Sequence, residues 1–138
     1  MTKIIETLAD APEERAVYVL YGGRGRSKHA AYVGIARKLK TRLNQHFVRR
    51  DSSVTTGASA ASLNPEHITE LAWWRPRGFR GQVALEAAEL VAFEVLDPTL
   101  RSRGKIRREA HKRARDPEFA SRMREILEGP PDGQMVFP

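Results

Sequence analysis

The sequence contains no cysteine. Disulfides, thiolate nucleophiles and zinc sites built on sulfur are therefore excluded, and a reducing cytoplasm is compatible with the chain. No apolar run is long enough to span a bilayer, and the N-terminus turns acidic at Glu6 before an apolar segment could form a signal sequence. We therefore expect a cytoplasmic protein without a membrane partner.

Positive charge is what the chain has in excess. Its 138 residues include 24 Lys and Arg against 17 Asp and Glu, which gives a net charge of +7 and a pI near 10.2. Most of the excess is Arg, which suits bidentate contacts to phosphate better than Lys does. Nucleic acid is therefore the leading partner class, and a solvated basic surface is the alternative.

Three segments have the Val, Ile and aromatic content of strands. They cover residues 16–21, about 30–35 and 67–74. Because neighbouring residues of a strand face opposite ways, one of Trp73 and Trp74 is predicted to lie in the core, and the other could be exposed and stack on a base.

Helical spacing of apolar residues predicts the helices. In residues 37–48, Arg42 and His46 lie one turn apart beside the apolar stripe, so both can face a site at the edge of the core. Residues 81–96 are apolar in nearly every direction and predict the central buried helix. A last helix is predicted from Asp116, an N-cap residue before proline, to Gly129.

These elements predict an α/β fold with a small, mainly antiparallel three-stranded sheet flanked by helices, followed by a basic segment and a C-terminal helix. The length fits one compact core. We expect a leader over residues 1–15, a domain over 16–98 and a C-terminal part over 99–138 that ends in a tail from Pro130. Within the domain, residues 51–64 are predicted to be a flexible insertion because they contain little apolar surface to bury.

Two basic segments are candidates for contact with a phosphate backbone. The loop over residues 22–28 is rich in glycine and arginine, and is either a mobile connection or a backbone contact. Residues 101–115 hold eight Lys or Arg in fifteen positions. With the start of the first helix, the predicted nucleic-acid-binding residues are Arg24, Arg26, Lys28, Arg37, Lys38, Arg101, Arg103, Lys105, Arg107 and Arg108.

Two carboxylates lie on the helix predicted to be most buried. Glu86 and Glu89 are three residues apart, and their mutual repulsion would favour a divalent cation between or beside them. A buried carboxylate is unfavourable unless it reaches solvent, a cation or a metal. The alternative is that both lie on a solvated stripe.

Five residues together match the requirements of metal-assisted phosphodiester cleavage. A carboxylate binds the cation, an Arg offsets charge on the phosphate, and a Tyr or His manages a proton. Each also has an ordinary structural explanation, as a strand tyrosine, a surface ion pair or a core histidine. The candidates are Tyr18, Tyr32, Arg42, His46 and Glu89.

In this order along the chain, the residues resemble the GIY-YIG nuclease family. The first family motif is similar to Ala16-Val17-Tyr18 and the second to Tyr32-Val33-Gly34, and the helix that follows places Arg42 at the family's catalytic Arg. The resemblance spans roughly residues 16–98. A single tripeptide is weak evidence, whereas the ordered set is fairly specific.

The resemblance implies a role for each residue. In this family a Glu is the sole protein ligand of a divalent metal, usually Mg²⁺, which implies Glu89 as the ligand of Mg²⁺ or Mn²⁺, with Glu86 in reserve. Tyr32 or Tyr18 would lie near the attacking water. His46 takes the position at which the family has His or Tyr.

Two positions depart from the family pattern. Some members have Lys where this chain has Ile35, so activation of a tyrosine by a neighbouring ammonium is not available here. Many have Asn shortly after the proline, where this chain has Arg101.

The sequence therefore predicts a divalent-metal-dependent endonuclease that hydrolyses phosphodiester bonds in DNA. The alternatives are a catalytically inactive nucleic-acid-binding module of the same fold and a basic protein that binds RNA.

Overall fold

A computed structural model describes residues 2–47, 67–101 and 105–137. Over these residues the chain forms an α/β fold with a six-stranded mixed sheet and four α-helices. The predicted α/β class is confirmed, and the predicted three-stranded sheet is wrong. The insertion predicted over residues 51–64 lies outside the described residues.

The strands of the sheet are β1 (Lys3–Ile4), β2 (Ala16–Gly22), β3 (His29–Ala36), β4 (Ile68–Trp74), β5 (Leu100–Arg101) and β6 (Gly133–Val136). Their order in the sheet is β1-β6-β4-β2-β3-β5. The centre is antiparallel, because β2 pairs with both β3 and β4, and β4 pairs with β6. The pairs at the two edges, β1 with β6 and β3 with β5, are parallel.

The strand count was wrong because β1, β5 and β6 are only two to four residues long. Segments this short show no hydrophobic periodicity, so the sequence could not distinguish them from a leader or a tail. Both ends of the chain are nevertheless part of the sheet. Ile5 is buried beside β1, and Gly133 pairs with both Lys3 and Trp73.

The central strands separate two apolar layers. Val17 and Val19 of β2 pack into one layer, whereas Tyr18 and Leu20 pack into the other. This alternation follows from the two-residue repeat of a strand. Since both faces of the sheet are covered, strand residues are buried whichever way they point.

The two tryptophans illustrate this burial. Trp73 and Trp74 are 1% and 4% exposed, so the expectation that one of them is exposed to stack on a base is wrong. Trp74 Nε1 donates a hydrogen bond to the Gly129 carbonyl at 3.2 Å. Trp73 packs so closely on Gly133 that any Cβ there would overlap the indole ring.

The described helices are α1 (Leu39–Phe47), α2 (Gln82–Leu96), α3 (Arg108–Ala114) and α4 (Pro117–Glu128). Helix α2 is the central helix, as predicted. Nine of its residues are buried, and it is followed by Asp97, which adopts a left-handed conformation before Pro98. Helix α4 has the predicted N-cap, where the Asp116 side chain accepts a hydrogen bond from the Phe119 amide at 3.2 Å.

The C-terminal helices pack on the same core as the central sheet. Ala110 of α3 and Phe119, Met123 and Leu127 of α4 join the apolar layer that contains α2. The segment before α3 is thereby held against α2. Among the helices of the described ranges, none is both long enough and apolar enough to cross a membrane.

Candidate active site

A cleft of about 890 Å³ lies beside α2. Its lining comes from four parts of the chain: the residue before β2, the junction of β3 and α1, one face of α2, and the segment that leads into α3. Three of these parts contain residues predicted to be catalytic, metal-binding or nucleic-acid-binding. The fold therefore brings separate regions of the sequence to one opening.

Cations dominate the lining of this cleft. Against the two carboxylates Glu86 and Glu89, the described part of the chain contributes six basic side chains. Such an excess attracts a polyanion and concentrates it at the cleft. The basic residues are Arg15, Arg37, Lys38, Arg42, Lys105 and Arg107.

One face of α2 runs along the cleft. Gln82, Leu85, Glu86 and Glu89 all line it, and their spacing of three and four residues places them on one side of a helix. Apart from the exposed Glu94, the rest of α2 is apolar, and most of it is buried in the core. The helix thus holds two carboxylates rigidly at the boundary between core and cleft.

Glu89 is buried but incompletely bonded. Its side chain is 3% exposed, and its Oε2 atom has no hydrogen-bond partner among the described residues. Burial, with a smaller contribution from the charge of Glu86, raises the pKa of Glu89 to about 8, although the charge of Arg42 opposes this rise. A carboxylate in this state favours binding of a cation, which would compensate the charge that burial disfavours.

Glu86 differs from Glu89 because its oxygens are engaged. Its Oε1 accepts a hydrogen bond from the Arg107 amide at 2.9 Å, and its Oε2 lies 3.8 Å from Arg107 Nε. Glu86 therefore fastens the segment before α3 to α2. Of the two carboxylates, Glu89 has the atom free for a metal.

The residues around Glu89 fit a cation held by a single protein carboxylate. In the described ranges, no three His, Asp or Glu side chains come together as a ready-made metal cage. Mg²⁺ suits such a site, because it keeps several waters and is commonly bound by one or two carboxylates together with phosphate oxygens. The donor set at Glu89 is compatible with Mg²⁺ or Mn²⁺.

Arg42 lies between the cleft and the buried residues behind it. It is half-buried and lines the cleft, and its Nη1 donates a hydrogen bond to Gln45 Oε1 at 3.3 Å. Its charge lowers the pKa of Glu89, Tyr18 and His46. One guanidinium therefore influences most of the predicted catalytic set.

Tyr18, Tyr32 and His46 form a buried cluster. The Tyr18 hydroxyl and His46 Nε2 share a hydrogen bond at 2.6 Å, and the Tyr32 ring centre lies 6.1 Å from that of Tyr18 and 5.2 Å from that of His46. The three side chains are at most 5% exposed. The cluster is not part of the described cleft lining, but Arg42, which lines the cleft, is close enough to influence Tyr18 and His46.

Both members of the hydrogen-bonded pair are uncharged at neutral pH. Burial, followed by the influence of Tyr32, raises the pKa of Tyr18 well above its usual value, and the charge of Glu89 adds to this effect. Burial and the charge of Arg42 lower the pKa of His46 to about 3. Tyr18 therefore holds its proton tightly, and it does so more strongly when Glu89 is charged and binds no cation.

Gly34 of the second motif makes room for the cluster. A Cβ atom on Gly34 would lie 2.7 Å from the Tyr18 hydroxyl oxygen and 3.0 Å from the Tyr32 ring. The first distance is too short for a real Cβ atom and the second is very tight, and both rings are fully buried. Glycine is required here by close approach.

We expect Gly34→Ala to lower the free energy of unfolding by about 2 kcal/mol through overpacking and to break the Tyr18–His46 hydrogen bond. The NMR signals of the His46 ring would then shift. Gly22→Ala in the neighbouring strand is the matched control, since the nearest atoms to its Cβ would be the exposed His29 ring at 3.2 Å and the His67 carbonyl at 3.5 Å. Unchanged His46 ring signals in Gly34→Ala would contradict the loss of this hydrogen bond.

The predicted nucleic-acid contacts fall into two groups. Four of them line the cleft: Arg37, Lys38, Lys105 and Arg107. Arg103 lies outside the described residues, and the remaining five are not part of the described lining. The Gly/Arg-rich loop makes other contacts: Arg24 donates to the Phe137 carbonyl at 2.9 Å, and Arg26 is exposed. Lys28 pairs with Glu70 at 2.9 Å, Arg101 stacks on Phe93 at 4.9 Å, and Arg108 begins α3.

The cleft also contains residues that the sequence did not single out, above all Arg15, Gln45 and Gln82. Gln82 could have been found, because it precedes Glu86 by four residues and Glu89 by seven on the same helix face. Arg15 carried no such signal, since its position in the cleft depends on tertiary packing.

Comparisons with protein-family models, with curated proteins and with solved structures found no match to this chain. Its resemblance to GIY-YIG nucleases therefore rests on the motif residues quoted above, and its function is inferred from the cleft itself.

Proposed function

We propose that this protein is a divalent-cation-dependent endonuclease that hydrolyses phosphodiester bonds in DNA. The observation that carries the proposal is the unpaired buried oxygen of Glu89 in a cleft that also holds Arg42 and five further cations. A buried carboxylate that lacks a partner, set within positive charge, is suited to bind a cation together with a polyanion. The ordered motifs that resemble GIY-YIG nucleases support the same reaction.

Glu89 is the residue that would hold Mg²⁺ or Mn²⁺. When bound, the cation supplies Lewis-acid stabilisation of the phosphate and lowers the pKa of a coordinated water. Glu89 contributes a position fixed by the buried helix. Its binding form is the ionised carboxylate, which the charge of Arg42 favours.

Arg42 stabilises the negative charge that builds on the phosphate during attack. A guanidinium can donate two parallel hydrogen bonds to phosphate oxygens, and it remains charged at every relevant pH. The hydrogen bond with Gln45 and the buried residues of α1 fix its direction. Such preorganised charge is among the largest contributions to catalysis.

The Tyr18–His46 pair is proposed to hold α1 against β2 and to take part in proton movement. His46 lies one turn beyond Arg42 on α1, so its hydrogen bond with Tyr18 helps to orient Arg42. Because the charge of Glu89 raises the pKa of Tyr18, neutralising that charge makes the Tyr18 proton easier to release. Proximity of Tyr18 or Tyr32 to the attacking water remains a prediction.

The remaining cations of the cleft would bind the DNA backbone. Arg15, Arg37, Lys38, Lys105 and Arg107 carry charge without belonging to the reacting group. Each phosphate that they neutralise contributes about −0.9 to the slope of log K against log salt concentration. Binding to DNA without added divalent cation should therefore weaken steeply as salt is raised.

The direct test of the reaction is nicking of supercoiled plasmid and cleavage of labelled single-stranded DNA. We expect cleavage in Mg²⁺ or Mn²⁺, none in excess EDTA, and recovery when the cation is restored. The absence of cleavage under all these conditions, with DNA binding intact, would contradict the enzyme proposal.

Replacing Glu86 should affect substrate binding more than chemistry. Glu86→Gln removes the ion pair with Arg107 Nε while an amide oxygen can still accept from the Arg107 amide. We expect KM to rise several-fold with kcat within about twofold, because Arg107 and Lys105 become less ordered in the cleft. A kcat loss as large as that of a Glu89 variant would instead make Glu86 a metal ligand.

A second candidate is a nucleic-acid-binding module without catalysis. Ile35 lines the cleft at the position where some GIY-YIG nucleases have Lys, and the buried tyrosines do not reach the cleft lining in the described residues. This candidate predicts salt-dependent binding without cation-dependent cleavage. Preference for structured RNA over DNA in competition would favour the RNA-binding alternative.

A further inference from the structure

A second unpaired acceptor lies in the same cleft. Gln82, the first residue of α2, is half-buried and lines the cleft, and its Oε1 atom is buried with no hydrogen-bond partner among the described residues. The mechanism proposed above uses Glu86 and Glu89 of this helix face but does not use Gln82. Buried polar groups without a partner are uncommon, and one in a binding cleft calls for a ligand that supplies the missing bond.

Gln82 is too far along the helix to act on the scissile phosphate. Seven residues of α-helix turn by almost two full revolutions and advance by about 10 Å, so Gln82 and Glu89 share a face but not a binding position. A DNA strand advances by about 3.4 Å per nucleotide. A strand that runs along this helix face would therefore bring the amide beside a nucleotide roughly three positions from the one that is cut.

The unpaired atom selects the kind of group it can bind. Phosphate oxygens only accept hydrogen bonds, so they cannot pair with Gln82 Oε1, and the cleft already supplies cations for them. In DNA the available N–H donors are on the bases. The side-chain amide also has an N–H₂ group, and this combination matches adenine, which offers an amino donor beside a ring-nitrogen acceptor.

We propose that Gln82 is a specificity-determining residue that hydrogen-bonds a base about three nucleotides from the cut and favours adenine there. The inference rests on the proposed nuclease function. It adds a direct contact to a base. The charged residues of the cleft are proposed to contact the DNA backbone, and such contacts carry no sequence information.

The test is a sequence profile of cut sites. A DNA pool with a randomised segment is cleaved in Mn²⁺ by the wild-type protein and by Gln82→Ala, Gln82→Glu and the control Gln134→Ala, a β6 amide outside the cleft lining. We expect the wild type and the control to favour adenine at one flanking position by about tenfold or more. Gln82→Ala should flatten only that position.

Gln82→Glu is the more demanding variant. A carboxylate keeps the acceptor but loses the amide donor, and it matches the cytosine amino group, so the preference should move from adenine to cytosine. A merely structural role for Gln82 would not produce this exchange. If all the variants cleave DNA with the sequence profile of the wild type, the inference about Gln82 is overturned while the proposed nuclease function stands.

An effect of Gln82→Ala seen only on ribose-containing substrates, whatever the base, would also overturn the inference. It would assign the amide to a 2′-hydroxyl instead. No cleavage by the wild-type protein would remove the proposed function, and this inference with it.

Discussion

Replacing Glu89 with Gln abolishes DNA cleavage and, at pH 8, stabilises the protein. The loss of cleavage should be at least about a thousandfold, because the unpaired carboxylate oxygen that would hold the cation disappears, and with it several kcal/mol of transition-state stabilisation. Plasmid nicking at saturating Mg²⁺ measures it. These opposite effects on activity and stability are expected because the buried charge of Glu89 is needed to bind the cation but destabilises the folded protein.

The gain in stability has a defined pH window. Glu89 has a folded-state pKa of about 8 against an ordinary value of 4.5, so the unfolded chain releases this proton before the folded protein does. Titration of Glu89 therefore leaves the free energy of unfolding unchanged below about pH 4.5 and lowers it as the pH rises toward 8. Relative to the wild type, Glu89→Gln should gain less than about 1 kcal/mol in free energy of unfolding near pH 5 and roughly 4 kcal/mol at pH 8.

Glu94→Gln is the matched control for this experiment. Glu94 is exposed on the same helix, with only a 3.8 Å contact to Arg124, so its replacement should change neither cleavage nor the pH dependence of unfolding. Urea unfolding at several pH values in EDTA gives the free energies. A Glu89→Gln protein less stable than the wild type at pH 8 would contradict the burial of an unpaired charge.

Arg42→Gln should lower kcat by about a hundredfold to a thousandfold, as expected when one preorganised charge is withdrawn from the transition state. It should also shift the activity profile toward higher pH. The charge of Arg42 lowers the pKa of Glu89, so without it the carboxylate ionises, and becomes able to bind the cation, only at a higher pH. The pKa of His46 should rise above about 3 in the same variant, because Arg42 lowers it.

Arg42→Lys separates the two effects. It keeps the positive charge and therefore the pH profile, but it loses the forked geometry and much of the rate. Lys40→Gln on the same helix, outside the cleft lining, is the charge-matched control and should keep wild-type kcat. An Arg42→Gln protein with wild-type kcat and pH profile would exclude Arg42 from the site.

The long elements of the fold could be predicted because their patterns are strong. The Val- and Tyr-rich β2 and the apolar α2 lie within one or two residues of their predicted bounds, and Asp116 caps α4 as expected. The sheet was underestimated because β1 and β6 have no pattern of their own. Strand β1 pairs with β6, more than a hundred positions away, and β6 also pairs with β4. Pairings between such distant segments leave no local signal in the sequence.

The site shows the same limit. Helical spacing placed Glu86 and Glu89 close together, but it could not choose between them. The choice depends on Arg107, whose amide bonds to Glu86 across 21 positions of the chain. Likewise, the motifs identified Tyr18, whereas its complete burial behind the cleft follows from the covered sheet.

Mn²⁺ bound to crystals of the wild-type protein tests the central claim most directly. At pH 8, where about half of Glu89 is ionised even without a cation, the account predicts one anomalous peak in the cleft at Glu89, with water completing the coordination. Crystals of Glu89→Gln should lack this peak. A peak on Glu86 instead, or no peak at Glu89 at saturating Mn²⁺, would contradict the account.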